Sequence, residues 1–214
     1  NSYDLSKSLQ RLVKTKIHTI YNPCHFPSIN NKKKFYKKKH INILNVARLE
    51  LQKDHLTLLK AINNLKGKIK FKLNIVGYGS QLLKIQKYIE DNNLKDLVQL
   101  HTSVNNTLKF YKEADLFILS SIYEGFPNVL VEAVQNNVPI ISTNCNSGPR
   151  EILLNGQGGE LVEIKDHLKI SQKIDLFSKN KKGFVKKSQF CKKKLYRFDN
   201  KYNLSKFKNL FDKL

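Results

Sequence analysis

Arg48 and Lys53 share the segment Asn45-Val46-Ala47-Arg48-Leu49-Glu50-Leu51-Gln52-Lys53-Asp54, directly after an apolar run. An arginine can clamp phosphate oxygens in a fork and a lysine adds a mobile point charge, so the pair suits a diphosphate. A surface arginine and a lysine ahead of a helix is the plainer reading of this segment alone, and Asp54 then reads as the helix N-cap. A second segment, Ser120-Ser121-Ile122-Tyr123-Glu124-Gly125-Phe126-Pro127-Asn128-Val129-Leu130-Val131-Glu132-Ala133, also follows an apolar run. Pro127 suits the first turn of a helix, and Gly125 lets backbone amides approach a ligand. A helix starting there aims free N–H groups and its positive end at the loop, where an anion would be held. Asn128 and Glu132 share one face of that helix, so Glu132 can accept hydrogen bonds from a polar ligand such as a ribose diol.

Two further loops have the same setting. Val76-Gly77-Tyr78-Gly79-Ser80 begins like a dinucleotide fingerprint, but Leu82 stands where the third glycine belongs and no acidic residue ends the next strand. A tight turn needing glycine backbone is the better reading. Asn144-Cys145-Asn146-Ser147-Gly148-Pro149-Arg150-Glu151-Ile152 carries Arg150. In a lysine-biased chain a retained arginine suggests fork geometry, and a structural pair with a carboxylate is an equal alternative.

The elements that must hold these loops are short apolar strands alternating with amphipathic helices. Expected strands are Ile41 to Val46, Phe71 to Val76, Val98 to Leu100, Leu116 to Leu119 and Val138 to Ser142. The alternation implies a doubly wound parallel sheet, Rossmann-like α/β, whose ligands sit beyond the carboxyl ends of the strands. Before it, residues 1 to 20 show a helical pattern (Leu5, Leu9, Leu12, Val13), followed by a strand-like run from Ile17 to Tyr21 and a break at Asn22-Pro23. Lysine triplets at 32 to 34 and 37 to 39 mark an exposed linker. The expected organisation is therefore 1–40, a remnant of a preceding domain with a basic linker; 41–180, the ligand-binding domain; and 181–214, a basic helical tail. In that tail Leu204, Phe207, Leu210 and Phe211 line one helical face that needs a partner surface.

The 214 residues suffice for one well-buried core. No apolar run approaches the length of a membrane-spanning helix. The chain starts at Asn1 and contains no methionine, so it reads as a fragment or a processed chain. Cys24, Cys145 and Cys191 are odd in number and far apart, which fits reduced thiols in a cytoplasm and gives no metal motif. The net charge of +22 raises nucleic acid or an anionic membrane surface as partners. The basic residues are lysines, with arginine only at 11, 48, 150 and 197, which argues against base reading. A peripheral position at the inner face of the plasma membrane fits the lysine excess.

In their order along the chain these segments resemble the C-terminal domain of family 4 retaining glycosyltransferases of the GT-B fold. The matching residues are Val46-Ala47-Arg48-Leu49 with Lys53; Ile75-Val76-Gly77-Tyr78-Gly79; Tyr111 with Ala114-Asp115-Leu116-Phe117; Ser120-Ser121 with Glu124 to Ala133; and Ser147-Gly148-Pro149-Arg150-Glu151-Ile152. The last is similar to the form found in bacterial enzymes of polysaccharide and lipid-linked oligosaccharide assembly. The resemblance implies a UDP- or GDP-sugar donor and a glycan or lipid-linked acceptor, with no cofactor and no metal. It implies Arg48 and Lys53 on the donor diphosphate, stabilising charge on the leaving nucleotide. It further implies Glu124 on the sugar hydroxyls, backbone amides of Gly125, Phe126, Pro127, Asn128 and Val129 around sugar and phosphate (Pro127 supplying only its position), Glu132 on the ribose, and residues near His101 to Ser103 along the base. No Asp-x-Asp occurs in the chain.

Two departures stand out. Ala47 replaces the commoner glycine of its motif, and Asn1 to Pro23 matches only the end of the family's N-terminal domain, so the acceptor half is expected to be missing. A non-catalytic nucleotide-sugar-binding module and a basic membrane- or nucleic-acid-associating protein are the other readings.

Overall fold

Six apolar segments pair into one parallel sheet in the computed structural model, which describes residues 3–21 and 40–212. The strands are β1 (Ile41–Val46), β2 (Phe71–Val76), β3 (Val98–His101), β4 (Leu116–Leu119), β5 (Ile140–Thr143) and β6 (Glu160–Val162). The helices are α1 (Tyr3–Gln10), α2 (His55–Leu65), α3 (Leu82–Asp91), α4 (Leu108–Glu113), α5 (Asn128–Gln135), α6 (Pro149–Ile152), α7 (His167–Lys179), α8 (Lys181–Lys192) and α9 (Asn200–Phe211). The sheet order is β3-β2-β1-β4-β5-β6. Helices cover both faces, so the strands can be apolar on both sides. Period-2 alternation sends Ile41 and Ile43 into one cluster with Leu58, Ile62 and Ile174, and Leu44 into another with Phe117, Leu130 and Val134. This is the doubly wound α/β architecture the alternation of elements implies.

Three local expectations are corrected. Ile17 to Tyr21 forms no strand among the described residues; its apolar alternation finds no neighbour in the sheet. β5 begins at Ile140 rather than Val138, because Pro139 has no N–H for a ladder, and β3 runs one residue further, to His101. β6 was not expected at all. It is three residues long, and its Glu160 is held by Lys173 (2.5 Å) and Lys187 (2.6 Å). Lys187 comes from α8, a helix the sequence places with the basic tail. α8 also sends Phe184 into the first cluster and Cys191 into the second. Cys145 and Cys191 are buried free thiols, each pushed up to about 11 chiefly by burial. Asn22-Pro23, Cys24 and the lysine triplets lie outside the described residues.

Where α2 begins, Asp54 adopts a left-handed conformation (φ 44°) and accepts from the Thr57 amide at 3.2 Å and the Thr57 hydroxyl at 2.7 Å, the cap its sequence suggests. The next residue, His55, is 2% exposed, and neither ring nitrogen has a hydrogen-bond partner. Burial holds its pKa down at about 4 from 6.5, with Asp54 pulling it up and Lys53 pushing it down. Below pH 6.5 the unfolded chain takes up a proton that the folded chain refuses. The contribution of His55 to stability is therefore complete above that pH and is lost progressively towards pH 4, roughly 3 kcal/mol in all. Urea unfolding at pH 7.5 and 4.5 should show this loss, and His55→Leu should reduce it. An equal acid loss in both proteins would remove His55 from the explanation.

Candidate functional site

The sheet order reverses direction between β1 and β4, and the loops leaving these two strands flank the crevice where open α/β sheets bind ligands. Each loop is fixed from outside the crevice. The β1 loop lies against the β2 loop, with the Ala47 amide donating to the Val76 carbonyl (3.1 Å) and the Leu49 amide to the Tyr78 carbonyl (2.8 Å). Gly77 makes this approach possible. At φ 154° a Cβ there would stand 1.9 Å from the Ala47 carbonyl oxygen. The Gly-Tyr-Gly segment is thus the tight turn its sequence suggests, pinned further by the Ser80 amide and hydroxyl donating to Glu50 at 3.1 and 2.7 Å. These bonds hold the Glu50 carboxyl below its ordinary pKa, the hydroxyl being the larger cause.

The β1 and β4 loops then meet. Lys53 Nζ lies 2.5 Å from Glu124 Oε1, with side chains 13% and 6% exposed. The Ser121 hydroxyl donates to the same carboxylate oxygen at 2.6 Å, and the Ser120 hydroxyl donates to the Lys53 carbonyl at 2.8 Å. Gln52 donates to the Tyr123 carbonyl (2.7 Å) and accepts at its own carbonyl from the Ile122 amide (2.8 Å). Lys53 and Glu124, 71 positions apart in sequence, therefore form one unit. Arg48 is exposed in the same β1 loop and acts electrostatically on Glu50.

Beyond Glu124 the chain turns into α5. Pro127 precedes the helix, which starts at Asn128, and no side chain caps it there. The turn is clasped by the loop after β5. The Ser147 hydroxyl donates to the Gly125 carbonyl (2.8 Å), and Gly148 (φ 90°) comes so close that a Cβ would stand 2.4 Å from Pro127 Cδ. On its other side Phe126 packs against Tyr21 (centroids 5.7 Å) and Phe198 (5.1 Å). Gly125 itself faces open space, with no atom within 4 Å of a Cβ position. The result is a rigid turn with an open glycine and a helix N-terminus beside the Lys53–Glu124 pair, an arrangement able to hold an anion. Glu132, one turn into α5, is half-buried, and the nearby Tyr111 hydroxyl donates to the Val129 carbonyl at 3.4 Å. Burial raises the Glu132 pKa, and the neighbouring tyrosine hydroxyl opposes that rise.

Ser103 is exposed in the loop after β3, and the structure brings it to none of the other expected residues. Nearby His101 is oriented by Asn74 Oδ1 at 2.8 Å and lies on the Phe110 ring (4.7 Å); burial, then Lys109, lowers its pKa. Arg150 donates to the Asn144 side-chain oxygen at 3.1 Å and has no ion pair among the described residues. Its neighbour Glu151 is the carboxylate that finds partners, the Tyr21 hydroxyl and the Tyr3 amide. Sequence reasoning missed Ser120 and Ser121 as the groups fixing Lys53 and Glu124. The adjacent hydroxyls at a strand end were the available signal for them. No group of three metal-ligating side chains occurs among the described residues.

A parallel sheet whose order reverses between β1 and β4, with cations, an open glycine and a helix start at that point, defines a doubly wound, Rossmann-like α/β domain. The chain belongs to the family Glycosyl transferases group 1, which it matches over residues 27–197. It is 32% identical over 201 residues to an uncharacterized glycosyltransferase of Methanocaldococcus jannaschii, covering 82% of this chain and 47% of that protein. It is also 32% identical over 150 residues to the N-acetylgalactosamine-N,N'-diacetylbacillosaminyl-diphospho-undecaprenol 4-alpha-N-acetylgalactosaminyltransferase of Campylobacter jejuni, covering 70% of this chain and 40% of that enzyme. The chain thus spans less than half the length of either relative. In fold it is similar to a variant of S. aureus TarM crystallised with Fondaparinux, alpha-GlcNAc-glycerol and UDP. There the TM-score is 0.87 at 23% identity, over 98% of this chain and 42% of that one.

Proposed function

We propose that this chain is the donor-binding half of a family 4 retaining glycosyltransferase, moving a hexosyl group from a UDP- or GDP-sugar to a glycan or lipid-linked acceptor without a metal. The observation that carries the reading is the Lys53–Glu124 contact, which joins the β1 and β4 loops beside the N-terminus of α5. In this reading the donor diphosphate lies between Arg48, Lys53 and the amides of Gly125, Phe126, Asn128 and Val129. As the bond from the sugar to the diphosphate breaks, negative charge grows on the leaving oxygens, and cations and amides already aimed there stabilise it without reorganising. Glu124, its lysine-bound oxygen fixed, offers its other oxygen to the sugar hydroxyls. Glu132 accepts from the ribose diol, and the loop holding Ser103 lies along the base.

The acceptor and the geometry of transfer belong to a second domain, for which the relatives' greater length leaves room. The name of the Campylobacter enzyme specifies an alpha linkage and a diphospho-undecaprenol acceptor, which supports retention and a lipid-linked acceptor. Such an acceptor fits a cytoplasmic protein that touches the anionic inner face of the plasma membrane through its lysine-rich surface.

Titration calorimetry with UDP and GDP tests the donor reading. Glu132→Ala should cost at least about tenfold in affinity for the preferred nucleotide, since it removes a hydrogen bond to a charged group. Unchanged affinity in a folded variant would refute the assignment.

A further inference from the structure

The two sides of α8 differ in chemistry. Phe184, Ser188 and Cys191 are buried. Lys182, Lys186, Gln189, Phe190 and Lys193, spaced to share the opposite face, are all exposed. Phe190 is 40% exposed there, an apolar ring on a face the core does not use. Between Asp175 and Asp199 the chain holds no acidic residue. Some of the cations in that stretch are engaged internally. Lys179 pairs with Asp175 and Lys187 with Glu160, each at 2.6 Å, and Lys192 donates to the Gln135 carbonyl at 2.8 Å. Among the described residues Lys182, Lys186 and Lys193 have no ion pair. An open cavity of about 490 Å³ adjoins the face, lined by Asn137, Lys186, Gln189, Phe190, Lys192 and Lys193.

Charge of one sign around an exposed ring is complementary to an anionic lipid surface. The ammonium groups meet phosphates, while the ring enters the boundary between headgroups and acyl chains. Single-stranded nucleic acid, the other polyanion, stacks successive bases on several rings, and this face offers one.

We propose that the exposed face of α8 docks this chain on an anionic phospholipid surface. Lys182, Lys186 and Lys193 lie on lipid phosphates, Phe190 inserts among the headgroups, and the cavity beside Asn137 takes one phosphodiester. This docking rests on the reading above that the protein touches the inner face of the membrane, and it assigns that contact to one helix.

The chain contains no tryptophan, so Phe190→Trp supplies a single fluorescent reporter. Its emission should shift to the blue with vesicles of equal parts phosphatidylglycerol and phosphatidylcholine, and stay fixed with phosphatidylcholine alone. An unmoved emission in protein that sediments with the anionic vesicles would overturn the docking face. A response to a single-stranded oligonucleotide and not to vesicles would overturn it in favour of nucleic acid. Sedimentation with the same vesicles measures the side chains. Lys186→Gln combined with Lys193→Gln should weaken binding about thirtyfold, and Phe190→Gln about fivefold. The control is Lys84→Gln with Lys87→Gln, an equal charge change at exposed positions of α3, which should cost about threefold or less. Equal losses in the two double variants would show that net charge alone drives binding, and α8 would lose its role. Wild type that fails to sediment with the anionic vesicles is a separate result, sinking the membrane reading itself. UDP affinity should be unchanged in all these variants, which shows that they are folded.

Discussion

In the proposed reading, with the acceptor half supplied, Lys53→Ala should lower kcat/KM for sugar transfer by about two to three orders of magnitude, the scale seen when one preorganised group facing developing charge is removed. The substitution does two things. In the proposed reading it takes away a cation from the diphosphate, and it leaves Glu124, 6% exposed, without its ion partner. Stranding a buried charge costs about 3 kcal/mol or more of stability. Replacing both partners separates these effects. A Lys53→Met, Glu124→Gln double variant strands no charge, so its urea midpoint should return most of the way to wild type while transfer stays low. Recovery of activity together with stability would mean that the pair holds the loops and does not touch the donor.

The largest loss of stability is expected from Gly77→Ala. Its Cβ would fall 1.9 Å from the Ala47 carbonyl oxygen, a backbone atom that no rotamer change can move, at a φ of 154° that side-chain-bearing residues rarely adopt. Relief requires parting the β1 and β2 loops, which breaks the Ala47–Val76 and Leu49–Tyr78 backbone bonds. We expect a loss of about 3 kcal/mol or more in denaturant unfolding. Gly67→Ala is the control. Its φ is also positive, at 76°, but nothing lies within 4 Å of the new methyl, so about 1 kcal/mol is expected. Equal losses at the two positions would show that φ alone, and not the approach of the two loops, governs Gly77.

The two glycines also show what a sequence can and cannot reveal. Gly77 was legible as a turn because it sits between an apolar strand and a helix. The carbonyl it accommodates belongs to residue 47, and only the pairing of β1 with β2 brings that atom near. β1, β2 and β4 have the expected bounds; β4, covered on both faces, is apolar throughout, whereas β1 and β2 were legible from the apolar residues around Asn42, Asn45, Lys72 and Asn74. β6 escaped notice because a three-residue edge strand opening on Glu160 has too little apolar pattern to read. Arg48 and Lys53 share one loop, so their proximity followed from spacing, whereas the bond from Lys53 to Glu124 depends on β4 lying beside β1. Tyr111 was legible as part of an amphipathic stretch and a motif, but the bond of its hydroxyl to the Val129 carbonyl joins α4 to α5, for which no local pattern exists. Nothing in the local sequence singles out His55; its burial without partners does.

The most direct test of the donor site is the amide spectrum of this chain, isotopically labelled and titrated with UDP in the presence of a chelator. The amides of Gly125, Asn128 and Val129 should move with a single saturation curve, together with the amide of Lys53 and the side-chain resonances of Arg48. If those signals stay fixed while UDP shifts only the lysine-rich surface of α8, the nucleotide does not bind where β1 and β4 part, and the account is wrong.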